Sequence, residues 1–160
     1  MRTKSKQHGM GWRLRKLPAG LLVLALSGSV WAELGGGLNS VQADQAQLQA
    51  KRQVLQAEGY SVHEMQAPSG TVVREYASPA GTVFGVTWNG PFIPDLRQLL
   101  GAQHFAEFQQ AQQSRRPGRH PIDIEQPGLV VQMSGRPRSF HGRAYVPGLI
   151  PQGVEAAAIR

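Results

Sequence analysis

The chain has 160 residues, 17 basic and 10 acidic, for a formal charge of +7, and no cysteine. Disulfides, cysteine-ligated metals and thiol nucleophiles are therefore excluded, and the length suggests one domain with appendages. The charge does not describe a nucleic-acid surface. Arg2, Lys4, Lys6, Arg13, Arg15 and Lys16 crowd the first 16 positions without an acid, and the other 11 basic residues face all 10 acids.

Those basic residues open a three-part export pattern. An apolar run follows over 17–26, and then Ser27, Gly28, Ser29, Val30, Trp31 and Ala32. Small or β-branched residues at Val30 and Ala32 place a signal-peptide cleavage after Ala32. The run is too short to cross a hydrocarbon layer of about 30 Å. Leu14 interrupts Arg13 and Arg15, so there is no twin arginine, and no cysteine follows the cleavage point to be acylated. The product is expected in the periplasm or the medium, with enough chain to bury a core without disulfides.

Residues 33–38, with Gly35, Gly36 and Gly37, form an expected mobile lead. Asn39 or Ser40 is a candidate cap for a helix expected over 41–58. Gln, Ala, Leu and Lys dominate that segment, and Gly59 stands where a left-handed C-terminal cap is wanted. Val41, Leu48 and Leu55 give it a thin apolar stripe. A first strand is expected over 60–66 and a turn at Pro68, Ser69 and Gly70. A second strand over 71–77 sets Val72, Arg74 and Tyr76 on one face and Val73, Glu75 and Ala77 on the other. Ser78, Pro79, Ala80 and Gly81 make a hairpin loop. A third strand over 82–88 groups Phe84, Val86 and Trp88 on one core face.

Pro94 and Asp95 suit the first turn of a second helix. Leu96, Leu99 and Leu100 would face away from Phe105 and Phe108, so Gly101 is expected to break it into two short helices. A polar loop over 114–121 leads to an edge strand at 122–125 and a strand at 129–133. After a turn at 135–137, the last strand over 139–146 alternates Phe140, Gly142 and Ala144 with His141, Arg143 and Tyr145. The fold class is α+β: an antiparallel sheet of about five strands with two helices against one face, in the order α-β-β-β-α-β-β. One domain over 39–154 is expected, with 155–160 a tail.

Two strand faces carry candidate chemistry. Arg74 would clamp an anion with Tyr76 as its hydrogen-bonding neighbour. His141, Arg143 and Tyr145 share the other face at period two. If the sheet brings both strands to one side, two Arg, two Tyr and one His form an anion-binding surface; the bland alternative is a solvated sheet face. Trp88 beside Asn89 is better read as a core lid than as a stacking platform. His104 with Glu107, and His120 with Asp123, have ligand-like spacing but no third partner, so neither metal nor cofactor is expected. There is no G-x-S-x-G, no P-loop and no H-E-x-x-H, and the 35–37 glycines follow no strand.

The string SGTVVREYASPAGTVFGVTWNGPFIPDLRQLLG, followed by LVVQ and RSFHGRAYVPGLIPQGV, resembles the domain-of-unknown-function 2844 family of proteobacterial exported proteins. The resemblance runs from Leu34 to about Val154. It implies an exported protein of a Gram-negative bacterium, and it transfers no activity, cofactor or catalytic residue. Three readings follow. The first is a non-catalytic envelope or secreted domain that binds a partner protein or an anionic ligand. The second is a small hydrolase or glycan-processing enzyme in which Asp95, Glu75 or Glu64 serves His141. The third is an envelope structural protein that pairs through a sheet edge.

Overall fold

Period-two alternation builds most of this molecule. The computed structural model describes residues 33–114 and 121–160; the expected export segment, the expected cleavage after Ala32 and His120 lie outside them. Helix α1 (Leu38–Gln47) precedes strands β1 (Lys51–Ala57), β2 (Tyr60–Gln66), β3 (Val72–Ala77) and β4 (Val83–Gly90). Helix α2 (Leu96–Gln113) then leads to β5 (Ile122–Gln126), β6 (Leu129–Arg136) and β7 (Ser139–Tyr145). The strands form one sheet of 7 in the order β1-β2-β3-β4-β7-β6-β5, and every neighbour is antiparallel. The class is α+β as expected, with two strands more than expected.

One of the extra strands corrects the first helix. The helical segment stops at Gln47, and Gln49 turns the chain at φ 49°. Residues Lys51–Ala57 extend and pair with β2, through a two-residue turn at Glu58 and Gly59. Gly59 does adopt positive φ, at 81°, but as a hairpin residue rather than a helix cap. Helix-forming side chains lose here because Gln49 has turned the chain out of the helix and the extended segment pairs with β2 along its whole length. The other extra strand is β5, the edge strand expected at 122–125 but outside the count of about five; it pairs along its length with β6.

The sheet has a helix face and an open face. On the helix face Met65, Val73, Val86, Trp88, Val131 and Ala144 pack against Val41 of α1 and Leu99, Leu100 and Phe108 of α2. Burial of such side chains contributes about 1.5–3 kcal/mol each before entropy is set against it. A register shift at Tyr76 and Ala77 corrects the grouping of Phe84 with Val86 and Trp88. The bulge inserts one residue, so Phe84 turns to the open face and packs on Tyr76 and Ile159.

The ends are also part of the packed body. Leu34 is buried, and Gly35 and Gly36 exchange backbone hydrogen bonds with Val83, so the glycine lead is pinned rather than mobile. Ile159 is wholly buried over Gly85, so the tail belongs to the core.

Gly101 breaks α2 as expected, with φ 76° and ψ 166° inside the helical run. Only glycine adopts that conformation readily. A Cβ there would also lie 2.3 Å from Cβ of Glu33. Gly101→Ala is therefore expected to cost at least about 1–3 kcal/mol in urea unfolding. An unchanged midpoint would mean that the break is not required.

Candidate functional site

The antiparallel register sets seven polar residues in one row across the open face. Gln53, Glu64, Arg74, Thr87, Arg143, Gln132 and Asp123 are successive cross-strand partners from β1 to β5. Cross-strand neighbours lie about 5 Å apart, so long polar side chains in such a row must meet. Nε2 of Gln53 donates to Glu64 at 2.6 Å, and Nε of Arg74 donates to the other Glu64 oxygen at 2.6 Å. Burial alone would raise the Glu64 carboxyl; the hydrogen bonds from Arg74 and Gln53 and the Arg74 charge outweigh it and hold the group below its ordinary value. On the far side Nε of Arg143 donates to Gln132 at 2.7 Å, and Nε2 of Gln132 donates to Asp123 at 2.9 Å.

Thr87 stands at the middle of the row, flanked by the two arginines. It is 5% exposed, and its hydroxyl has no hydrogen-bond partner among the described residues. Above the row opens a cleft of about 420 Å³, lined by Arg74, Thr87, Asn89, Ser134, His141 and Arg143 among others, with Arg160 at its rim. Arg143 is held on two sides. Its Nη1 donates to the carbonyls of Ala156 and Ile159 at 3.3 and 3.4 Å, and its guanidinium lies 5.6 Å from the Tyr145 ring centre.

All five residues singled out from sequence lie on the open face. Arg74, Arg143 and His141 line the cleft together, with β4 and not direct β3–β7 contact bridging them. The two tyrosines do not line it. Tyr76 packs on Phe84 and Ile159, donates from its hydroxyl to the main-chain oxygen of Arg160 at 2.5 Å and accepts from the Arg160 amide at 3.1 Å. Tyr145 joins the same apolar cluster. Tyr76 thereby holds the tail whose carbonyls accept from Arg143.

The His141 ring meets Ser134, its cross-strand partner, with Nε2 to Oγ 2.7 Å. A hydrolase built on His141 needs a carboxylate to orient the ring. The three candidates are engaged elsewhere. Glu75 points to the helix face, Glu64 bonds Arg74 and Gln53, and Asp95 caps α2 by accepting from the amides of Arg97 and Gln98. His104 and Glu107 sit on α2, and among the described residues no three His, Asp or Glu side chains gather as metal ligands.

A second polar cluster lies under the helices and was not anticipated. Asp44 of α1 and Glu75 of β3 are both buried with their carboxyl groups close enough to perturb one another, and Nε2 of Gln98 from α2 donates to Asp44. Two buried carboxyl groups this close repel if both are charged, which favours keeping a proton on one of them. Burial raises Glu75 most, and the hydrogen bond and charge of Asp44 raise it further. Burial also raises Asp44, against the pull of its bonds to Glu75 and Gln98. The available signal was Glu75 itself, an acid alternating onto the face of Val73 and Ala77. Its partner was not legible, because nothing local in the sequence sets Asp44 of α1 over Glu75 of β3.

No helix among the described residues is long and apolar enough to cross a membrane. No curated protein and no solved structure matches the chain. A family model described as "Protein of unknown function (DUF2844)" matches residues 30–159, which spans the row, the cleft, both helices and the buried acid pair, and the chain belongs to that family.

Proposed function

We propose that this protein is an exported, non-catalytic binding domain of the bacterial envelope or its surroundings, and that the open-face cleft takes a carboxylate- or phosphate-bearing ligand. The buried Thr87 hydroxyl between Arg74 and Arg143 carries this reading. Leaving a buried donor unmet costs about 1–3 kcal/mol, and an anion seated over the row relieves it. The same anion accepts from the guanidinium groups on either side, while Asn89, Ser134 and His141 offer further donors at the cleft wall. Export rests on the basic, apolar and small-residue pattern ahead of Glu33. Binding is favoured over catalysis because Ser134 engages His141 and no described carboxylate orients the ring.

The test separates binding from folding. The purified protein is titrated calorimetrically with a panel of mono- and dicarboxylates, phosphate monoesters and inorganic phosphate. Thr87→Val keeps the side-chain volume and removes the unmet hydroxyl. It is expected to leave the thermal midpoint equal or higher while weakening the bound anion about tenfold, near 1.4 kcal/mol. Arg143→Ala is expected to weaken it by more, since a charge-assisted bond is lost. Should no anion in the panel bind, or should Thr87→Val bind as well as the parent, the cleft is not the site.

A further inference from the structure

β1 is the least protected element of the sheet. It lies at the end of the strand order, and six of its seven residues are exposed. Val54 on the helix face is 44% exposed and Leu55 on the open face 50% exposed. The strand holds no proline and no bulge, two of the devices that blunt an edge, and its charges, Lys51 and Arg52, stand at one end only. Its two-residue turn closes on the Ala57–Tyr60 pair, so Ala57, Leu55 and Gln53 aim their backbone groups at β2. Gln56, Val54 and Arg52 therefore aim theirs outward, a row of donors and acceptors open to another strand.

We infer that a second copy of this chain pairs there, β1 against β1, antiparallel about a two-fold axis, continuing the sheet across the dimer. In an antiparallel pair the opposed residues share a face, so only alternate registers are allowed. One of them sets Leu55 against Leu55 on the axis. That register puts Val54 beside Gln56 of the other copy and brings Arg52 to the turn residue Glu58, just beyond the other copy's strand, at both ends by symmetry. The neighbouring allowed register sets Val54 on the axis and leaves Arg52 opposite Gln56 with no charge pair. Charge complementarity therefore selects the first. It covers both exposed apolar side chains, one on each face, and it closes as an isologous pair. The competing partner is β5, whose Asp123 and Glu125 oppose the charge of Lys51 and Arg52. Pairing β1 with β5 is head-to-tail and builds open polymers instead of dimers.

The dimer stands independently of the cleft. A strand pair buries less than the roughly 1,200 Å² of a standard interface, so the association is a weak one. Sedimentation equilibrium of the purified protein, loaded to about 1 mM, is expected to show a reversible monomer–dimer equilibrium with a micromolar to submillimolar constant. Arg52→Glu or Glu58→Arg alone is expected to weaken it at least about tenfold, and the double exchange to restore it, as charge-set register requires. Val54→Pro removes an outward amide that β2 does not use. It is expected to abolish the dimer while the protein still unfolds cooperatively, which keeps the test valid if the charge variants fold poorly. A monomer throughout the range overturns the inference, as do polymers in place of dimers, a Val54→Pro protein that still dimerises, and a double exchange that stays as weak as the singles.

Discussion

Replacing Glu75 with glutamine will stabilise this protein at about pH 8 by about 1–3 kcal/mol and flatten its stability profile on the alkaline side. Asp44 and Glu75 meet between α1 and the sheet, and each keeps its proton more tightly folded than unfolded. Above the ordinary carboxyl range the folded chain therefore holds more protons than the unfolded one. Stability is full below the unfolded value, 4.5 for a glutamate, and declines as pH rises through the folded titration of the pair. A glutamine at 75 donates an amide proton to Asp44 at every pH, so the Glu75 share of the decline disappears. Asp44→Asn acts from the other side, donating to Glu75 while its oxygen still accepts from Gln98. His63 contributes with the opposite sign. Burial, and then the Arg52 charge, hold its ring below the usual 6.5. Its share of stability is full above that value and is lost as pH falls toward the folded one. The parent should thus be most stable at intermediate pH, with an acid limb owed partly to His63 and an alkaline limb to the acid pair. Urea midpoints taken from about pH 5 to pH 9 decide the matter. Parallel curves for the parent and Glu75→Gln would mean that no proton is shared.

The same residues show which parts of the structure were legible. Strand alternation grouped Arg74 with Tyr76 on one strand and His141 with Arg143 on another, because a period of two leaves no freedom once a segment is a strand. Their meeting was not legible, since it depends on β7 docking beside β4 rather than beside β3. Thr87 was passed over for a related reason. A threonine in a strand is ordinary until the register shows two arginines flanking it. Residues 51–57 failed for a local reason. Lys, Arg, Gln, Leu and Ala favour a helix, and a glycine such as Gly59 ends a helix or turns a hairpin with the same left-handed angle. The true stop is Gln49 at φ 49°, and nothing about a glutamine announces that conformation. The lost strand was the exposed edge.

Gly142→Ala is expected to damage the fold severely for a single methyl. A Cβ at that position would fall 2.3 Å from Cζ2 and 2.6 Å from Cε2 of Trp88, and 2.8 Å from Cβ of Met133. The indole lies across β7 where a side chain would otherwise stand, and it is among the most deeply buried groups of the helix face. A flexible side chain could swing aside; a ring packed between sheet and helices cannot. The strand must lift instead, at a cost of about 3 kcal/mol or more. That movement reaches the cleft, because His141 and Arg143 flank Gly142 and face the other way. Their cross-strand bonds to Ser134 and Gln132 depend on β7 staying flat against β6. Stability and anion binding should therefore fall together, unlike in Thr87→Val, where they part. Shrinking the ring tests the cause. Nε1 of Trp88 has no hydrogen-bond partner among the described residues, so Trp88→Leu forfeits packing but no polar contact. With Leu at 88 the methyl at 142 has room, and the double variant should be more stable than the sum of the single losses allows, by at least about 1 kcal/mol. Strict additivity in urea unfolding would show that the two positions do not share this space. Restored stability without restored binding would instead place the cleft's requirement in β7 itself.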